Sequence, residues 1–252
     1  MAKTSPNLGP LSLIPTPGGQ TGGTDQFTEF ASHMALVHNI IIRGYNSIYL
    51  QAPKVKQADV HDFLHYCQAW NEFVVGHHDS EEHVLFPGTE KETGVQGIMD
   101  EDVQEHASFH HGLADIKAYL ETSLTSPASD FNGSNLIMIL DCFAPAFHSH
   151  LTHEPARLAS LSRYDFDMKA LGDHTTQHSL QRYSTTDILP VLWYNLDTTF
   201  ENGKWESFPE LPAAMKWYMI NVLGWWRRSW WRFVSCGANG VERELLCLRD
   251  DY

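Results

Sequence analysis

Apolar residues recur at three- and four-residue spacing through the first two thirds of the chain, a period that predicts long amphipathic helices. The first spans residues 25–50, with Phe27, Phe30, Met34, Val37, His38, Ile41, Tyr45 and Ile48 on one face ahead of Pro53. The second covers residues 59–86, aligns Phe63, Tyr66, Trp70, Phe73 and His77, and stops at Pro87. The third, residues 99–120, carries Val103, His106, His110, Leu113 and Ile116. The fourth follows the Asn132-Gly133-Ser134 turn and runs through Leu136, Leu140, Phe143, Phe147, His150 and Glu154. No alternating strand pattern competes with these segments. Four such helices joined by short or moderate loops predict an all-α fold, an antiparallel up-down four-helix bundle over residues 25–163.

The flanks read differently. Residues 1–24 are rich in Pro, Gly, Ser and Thr, and are expected to be a disordered arm that adds nothing to the core. Residues 164–252 hold seven of the eight tryptophans, densest at Gly224-Trp225-Trp226-Arg227-Arg228-Ser229-Trp230-Trp231-Arg232-Phe233. One or two helices are expected around residues 215–233, in a mostly helical aromatic extension that packs on the bundle. Three uses of it stay open: bracing the bundle, walling a pocket for a small organic substrate, or lying on a membrane surface through its Trp and Arg residues.

Composition narrows the function. The chain of 252 residues is 42% hydrophobic, enough for a sizeable core. Its 17 basic and 31 acidic residues give a net charge of −14, which repels phosphate backbones and anionic headgroups; this excludes a nucleic-acid partner and argues against the membrane reading. Cys67, Cys142, Cys236 and Cys247 form no CxxC pair, so neither a zinc knuckle nor a disulfide framework is expected. Pro10 and Pro15 break the N-terminal apolar run, and no apolar stretch is long enough to span a bilayer, so a cytoplasmic location is expected. The outlying number is fifteen histidines, where average usage gives about five or six.

The histidines fall on the apolar faces of the predicted helices. His77 and Glu81, His106 and His110, and His150 and Glu154 are each four residues apart, a spacing that points both members of a pair the same way. His38 adds a single imidazole from the first helix. Burying this many polar groups without mutual satisfaction would cost several kcal/mol each, so the set predicts a metal site. Five imidazoles, two bridging carboxylates and one shared oxygen bridge fill about eleven of the twelve or so positions around two six-coordinate metals, leaving one open. Imidazole with some carboxylate suits iron, zinc or copper, and a two-metal site with a vacancy reads as redox iron.

From His38 to Glu154 the sequence resembles the hemerythrin-like (HHE cation-binding) family. His77-His78-Asp79-Ser80-Glu81-Glu82-His83-Val84-Leu85-Phe86-Pro87 is similar to that family's HxxxEExxLFP signature, His106-Ala107-Ser108-Phe109-His110 to its HxxxH, and His150-Leu151-Thr152-His153-Glu154 to its final HxxxE. The tryptophan-rich tail resembles the extension of fungal members. The resemblance implies two non-haem iron ions joined by an oxo or hydroxo bridge, with His38, His77, His106, His110 and His150 as nitrogen ligands and Glu81 and Glu154 as bridges. It also implies dioxygen, nitric oxide or peroxide as ligand, in carriage or storage, in oxygen or iron sensing, or in oxidase or oxygenase chemistry on a small organic metabolite. A five-imidazole set favours reversible binding over strong oxygenation.

Alternatives within the site stay open. His78 and Glu82 repeat the spacing of His77 and Glu81; together with His111 they are candidates for supporting roles. Pro155 predicts a distorted turn at Glu154, with His153 or His148 as substitutes, and Pro145 predicts a kink. No Glu precedes a His by three residues, no HExxH occurs, and no phosphate-binding glycine loop opens a helix, which sets aside ferritin-type, zincin and nucleotide chemistry.

Overall fold

A computed structural model describes residues 9–252 and is helical, with no strand among the described residues. A short helix α1 (Pro17–Thr21) precedes four long elements: α2 (Gln26–Gln51), α3 (Val60–Ser80), continued past a π-helical turn (Glu81–Leu85) as α4 (Phe86–Thr93), α5 (Asp100–Thr125) and α6 (Gly133–Ser160). Asp25 caps α2 by accepting the N–H groups of Phe27 and Thr28, and Asn132 caps α6 through Ser134. Among the four long elements α6 packs most closely on α5 and α2, and α3 packs on α5, while α2 and α3 touch less extensively.

Two apolar clusters lie along these helices. The larger takes Ile40, Ile41 and Tyr45 from α2, Phe63 and Trp70 from α3, Phe109 and Leu113 from α5, and Leu140 and Phe147 from α6. The smaller takes Phe27, Ala31 and Met34 from the start of α2, Leu85 and Phe86, Met99, and Leu158 and Leu161 at the end of α6. On each of these helices the buried His and Glu residues, His38, His77, Glu81, His106, His150 and Glu154, fall near the junction of the two, so they form one polar layer across the molecule with apolar side chains above and below.

Residues 9–24 correct the expectation of an arm outside the core; residues 1–8 of that arm lie outside the described residues. Leu11 and Ile14 are buried in the larger cluster. Asn39 accepts the Ile14 N–H and donates to the Ile14 carbonyl, both at 2.8 Å, while Asn46 does the same for Leu11 at 3.1 and 2.8 Å. Seven helical residues rise about 10.5 Å, close to the reach of three extended residues at about 3.3 Å each. Two amides on one face of α2 therefore hold an extended strap at matching intervals.

The second helix does not stop at Pro87. The chain takes a π turn in which Phe86 donates to the Glu81 carbonyl, and Pro87, which has no N–H to give, falls in the first turn of α4. The true stop is Gly94, in the left-handed region at φ 69°.

In residues 164–252, α7 (Met168–Arg182) and short helical turns form an irregular layer. Trp231, Phe233, Val234 and Val191 belong to the larger core cluster. Buried polar contacts tie this layer to α2 and α3: Gln51 donates to the Phe233 carbonyl at 2.8 Å, Arg43 pairs with Asp197 at 3.0 Å, and Tyr66 meets Asn195 at 3.3 Å. Trp217, Trp225 and Trp226 remain exposed. No described helix is long and apolar enough to cross a membrane.

Candidate metal centre

Six of the seven residues expected as ligands converge. His38, His150, Glu81 and Glu154 are wholly buried, His106 is 2% exposed and His77 is 7% exposed. His38 Nε2 lies 3.2 Å from Glu154 Oε2 and 3.2 Å from His77 Nε2. His77 Nε2 lies 3.0 Å from Glu81 Oε1, and the other Glu81 oxygen is 3.5 Å from His106 Nε2. His106 and His150 face each other at 3.0 Å between their Nε2 atoms.

His110 is not in this layer. It is exposed, whereas Asp102, His106, Phe109, Leu113, Ile116 and Leu120 are the buried residues of α5. At about 100° per residue, His110 points about 80° away from the middle of that face. The fifth imidazole near Glu81 comes from His78, which groups with Glu81, His106 and His150 as potential donors to one ion. His78 is 6% exposed, and neither of its nitrogens has a hydrogen-bond partner. The signal for it lay in a second stripe on α3, Leu64, Cys67, Asn71, Val74 and His78, also at three- and four-residue spacing and buried throughout. That stripe ends at His78 facing α5 and α6, with Phe109 at 5.0 Å and Phe147 at 5.9 Å between ring centroids, while extension residues cover another side of α3: His178 contacts Ser80 at 3.1 Å, and Tyr183 donates to the Phe73 carbonyl at 2.9 Å.

The outer nitrogens are fixed as well. His106 Nδ1 donates to Glu82 at 2.8 Å and His150 Nδ1 to Glu105 at 3.3 Å. Arg157 in turn binds Glu105 and donates to Asp102 at 2.8 Å. His38 Nδ1 reaches the Leu151 carbonyl at 2.7 Å. A carbonyl or carboxylate oxygen only accepts, so the proton of each ring is on Nδ1 and the Nε2 atoms carry lone pairs. Of the supporting candidates Glu82 has such a role and His111 is exposed; Glu105, which holds His150, belongs to none of the spaced pairs in the sequence. His153 is exposed, and His148 is turned toward the strap, where it meets the Ser12 carbonyl at 2.8 Å. Neither replaces Glu154, which stays helical and buried despite Pro155.

Electrostatics make the layer costly without a cation. Burial and neighbouring imidazoles hold His77, His78 and His150 well below the usual histidine range, and burial lowers His106. Burial, then the Glu154, Asp102 and Glu82 charges, pushes Glu81 well above the ordinary carboxylate value; burial and Glu154 push Asp102 up to about 7. Neutral His106 and His150 thus aim two lone pairs at each other across 3.0 Å. No carboxylate oxygen of Glu81 or Glu154 is in a hydrogen bond. Lone pairs and carboxylates converging in a buried space form a donor set that fits a metal cation.

The family described as hemerythrin HHE cation binding domain matches residues 30–161. A relative, the dimeric xanthone biosynthesis cluster protein R11 of Cryptosporiopsis sp. (strain 8999), is 36% identical over 245 residues, covering 94% of this chain and 91% of that protein. No solved structure matches the chain. With the match falling on the helices that carry the buried His and Glu cluster, the chain belongs to the hemerythrin HHE cation-binding family.

Proposed function

We propose that α2, α3, α5 and α6 form an antiparallel up-down bundle that holds two iron ions and takes dioxygen, nitric oxide or peroxide at one open coordination position. The observation that carries this reading is the pair of neutral imidazoles, His106 and His150, with lone pairs converging beside two carboxylates that lack any hydrogen-bond partner. His38 and His77 would hold one ion, and His78, His106 and His150 the other. Glu81 lies within reach of both sets, and Glu154 lies nearest His38 and His150; both suit a bridging role. His78 takes the place expected of His110.

Bound ferrous iron would supply electrons and a vacant position to a small oxidant. The protein's own part is to position and to exclude. Glu82, Glu105 and the Leu151 carbonyl hold three rings in one tautomer, and the smaller apolar cluster closes the layer from the end of the bundle. With every proposed ligand at most 7% exposed, the layer suits a diatomic ligand or peroxide better than direct contact with a bulky molecule.

A second reading places oxidative chemistry on a small organic metabolite. It is favoured by the relative's name, which assigns that protein to a biosynthesis cluster, and by a match that extends through the aromatic extension. A cavity of about 490 Å³ lies in that extension, lined by Trp193, Leu196, Lys216 and Ile220 among others and by none of the proposed ligands. Anaerobic loading with ferrous iron followed by oxygen tests both readings. A spectrum that reverses on oxygen removal supports binding, irreversible oxidation with consumption of one metabolite supports catalysis, and failure to retain iron removes both.

A further inference from the structure

Two prolines sit inside α6, and they differ in what surrounds the carbonyl each leaves without its helical donor. In a regular helix residue 155 would donate its N–H to the Leu151 carbonyl, four residues back. Pro155 has no N–H, and its ring crowds that carbonyl away from the helical bond. The Leu151 carbonyl instead receives the Nδ1–H of His38 at 2.7 Å, from a helix 113 residues earlier in sequence. Leu151, His38 and Glu154 are wholly buried, and Pro155 is buried with them, so no water competes for the vacated acceptor. The opposite nitrogen of His38 then faces Glu154 at 3.2 Å and His77 at 3.2 Å. Pro145 leaves the Asp141 carbonyl free in the same way, but both residues are exposed and water can satisfy it.

We propose that Pro155 is a positioning residue for His38: by withholding one helical N–H it leaves the Leu151 carbonyl as the acceptor that fixes the tautomer and aim of the His38 ring. The inference rests on the metal-binding reading for its consequence, and on the hydrogen bond alone for its geometry. Pro155→Ala restores the missing donor. The new N–H occupies one lone pair of the carbonyl and draws it back along the helix axis, so His38 loses its fixed partner.

A helix break without further purpose and a positioning device predict different signs. Replacing an interior helical proline by alanine raises the Tm of the metal-free protein, by about 5 °C or more, in either case. Only the positioning role lowers metal affinity at the same time, by about ten-fold or more, the range seen when a ligand loses its supporting hydrogen bond. The measurement is anaerobic ferrous titration against a chelator for the wild type, Pro155→Ala, His38→Ala and Pro145→Ala, with thermal melts of each metal-free form. Pro155→Ala should weaken the ion that His38→Ala abolishes, and Pro145→Ala should leave affinity unchanged. Wild-type affinity in Pro155→Ala would overturn the proposal.

Nitrogen-15 imidazole spectra of the metal-free proteins separate this inference from the functional reading. A single Nδ1–H tautomer for His38 in the wild type, giving way to a mixture in Pro155→Ala, supports the geometry even if iron does not bind. An unchanged His38 signal in the variant refutes it.

Discussion

Replacing His78 by leucine should reverse its effect on stability when metal is added. The imidazole is enclosed by rings, His106 at 4.6 Å, Phe109 at 5.0 Å, His150 at 5.3 Å and Phe147 at 5.9 Å between centroids, and neither nitrogen has a hydrogen-bond partner. Each buried unsatisfied group costs about 1–3 kcal/mol. Leucine has nearly the volume of histidine but a different shape, and such a swap returns about 1 kcal/mol as imperfect packing. The metal-free variant should therefore gain about 2 kcal/mol, a rise in Tm of about 4–8 °C for a domain of this size. With ferrous iron in thousand-fold excess over its Kd, each occupied position stabilises the wild type by about 4 kcal/mol. A variant that has lost one position forgoes that gain and should melt below the wild type. Calorimetric melts with and without anaerobic iron, alongside metal content per chain, measure both halves. His110→Leu is the control, expected to change neither, because His110 is exposed. Two ions retained by His78→Leu with the wild-type metal-induced shift, or one ion lost from His110→Leu, would refute the assignment.

The strap offers a second test: Asn39→Ala should cost about 2–3 kcal/mol in a denaturant melt, since it removes two hydrogen bonds and strands a buried backbone pair at Ile14, and a loss below about 0.5 kcal/mol would show that the strap is not held there. Gly133→Ala should be severely destabilising, because a Cβ at this position would fall 1.9 Å from the Ala52 carbonyl oxygen; wild-type stability would mean that the start of α6 approaches the end of α2 less closely than described. Asp25→Ala should cost about 1 kcal/mol at neutral pH, read from melts across a pH series. Hydrogen bonds from Thr28 and Phe27 hold the Asp25 carboxyl below its ordinary value of 3.8, so its stabilisation is complete above that pH and fades as pH falls through the lower folded value. A difference between wild type and variant that persists undiminished into strong acid would count against that cap.

The helices were legible because their faces are regular, and the departures from the expected pattern have separate physical causes. On α5 the spacing from His106 to His110 suggested a ligand pair, yet the run Asp102, His106, Phe109, Leu113, Ile116, Leu120 follows the alternation of four and three more closely and passes His110 by. On α3 the first apolar stripe was found and the second, ending in His78, was not, since a helix covered on two sides presents two stripes and the pattern does not say which lies toward the site. Helix α7 was missed because its sequence, Met168 to Arg182, is polar almost all round and buries only Met168, Gly172 and Thr175. Composition also misjudged residues 9–24: proline and glycine predict poor self-packing, but the strap is held by asparagines that lie elsewhere in the chain.

The layered arrangement explains how a core tolerates so many polar groups. Apolar clusters on both sides of the layer keep the helices in register without the ligands' help, and most of the large buried rings, including Trp70, Tyr45, Phe63 and Phe147, lie in the larger one. The layer can therefore be tuned for metal rather than for stability, and the helices depart from regularity beside it. At the π turn following Glu81 the backbone adds a residue, after which Leu85 and Phe86 turn into the smaller cluster. At Pro155 the backbone drops a hydrogen bond, and the freed carbonyl takes the ring of His38. Both irregularities flank a buried carboxylate, Glu81 or Glu154. A regular helix would satisfy its own carbonyls; the break at Pro155 leaves one of them for His38, Glu82 and Glu105 hold His106 and His150, and the Nε2 lone pairs of all three rings turn inward.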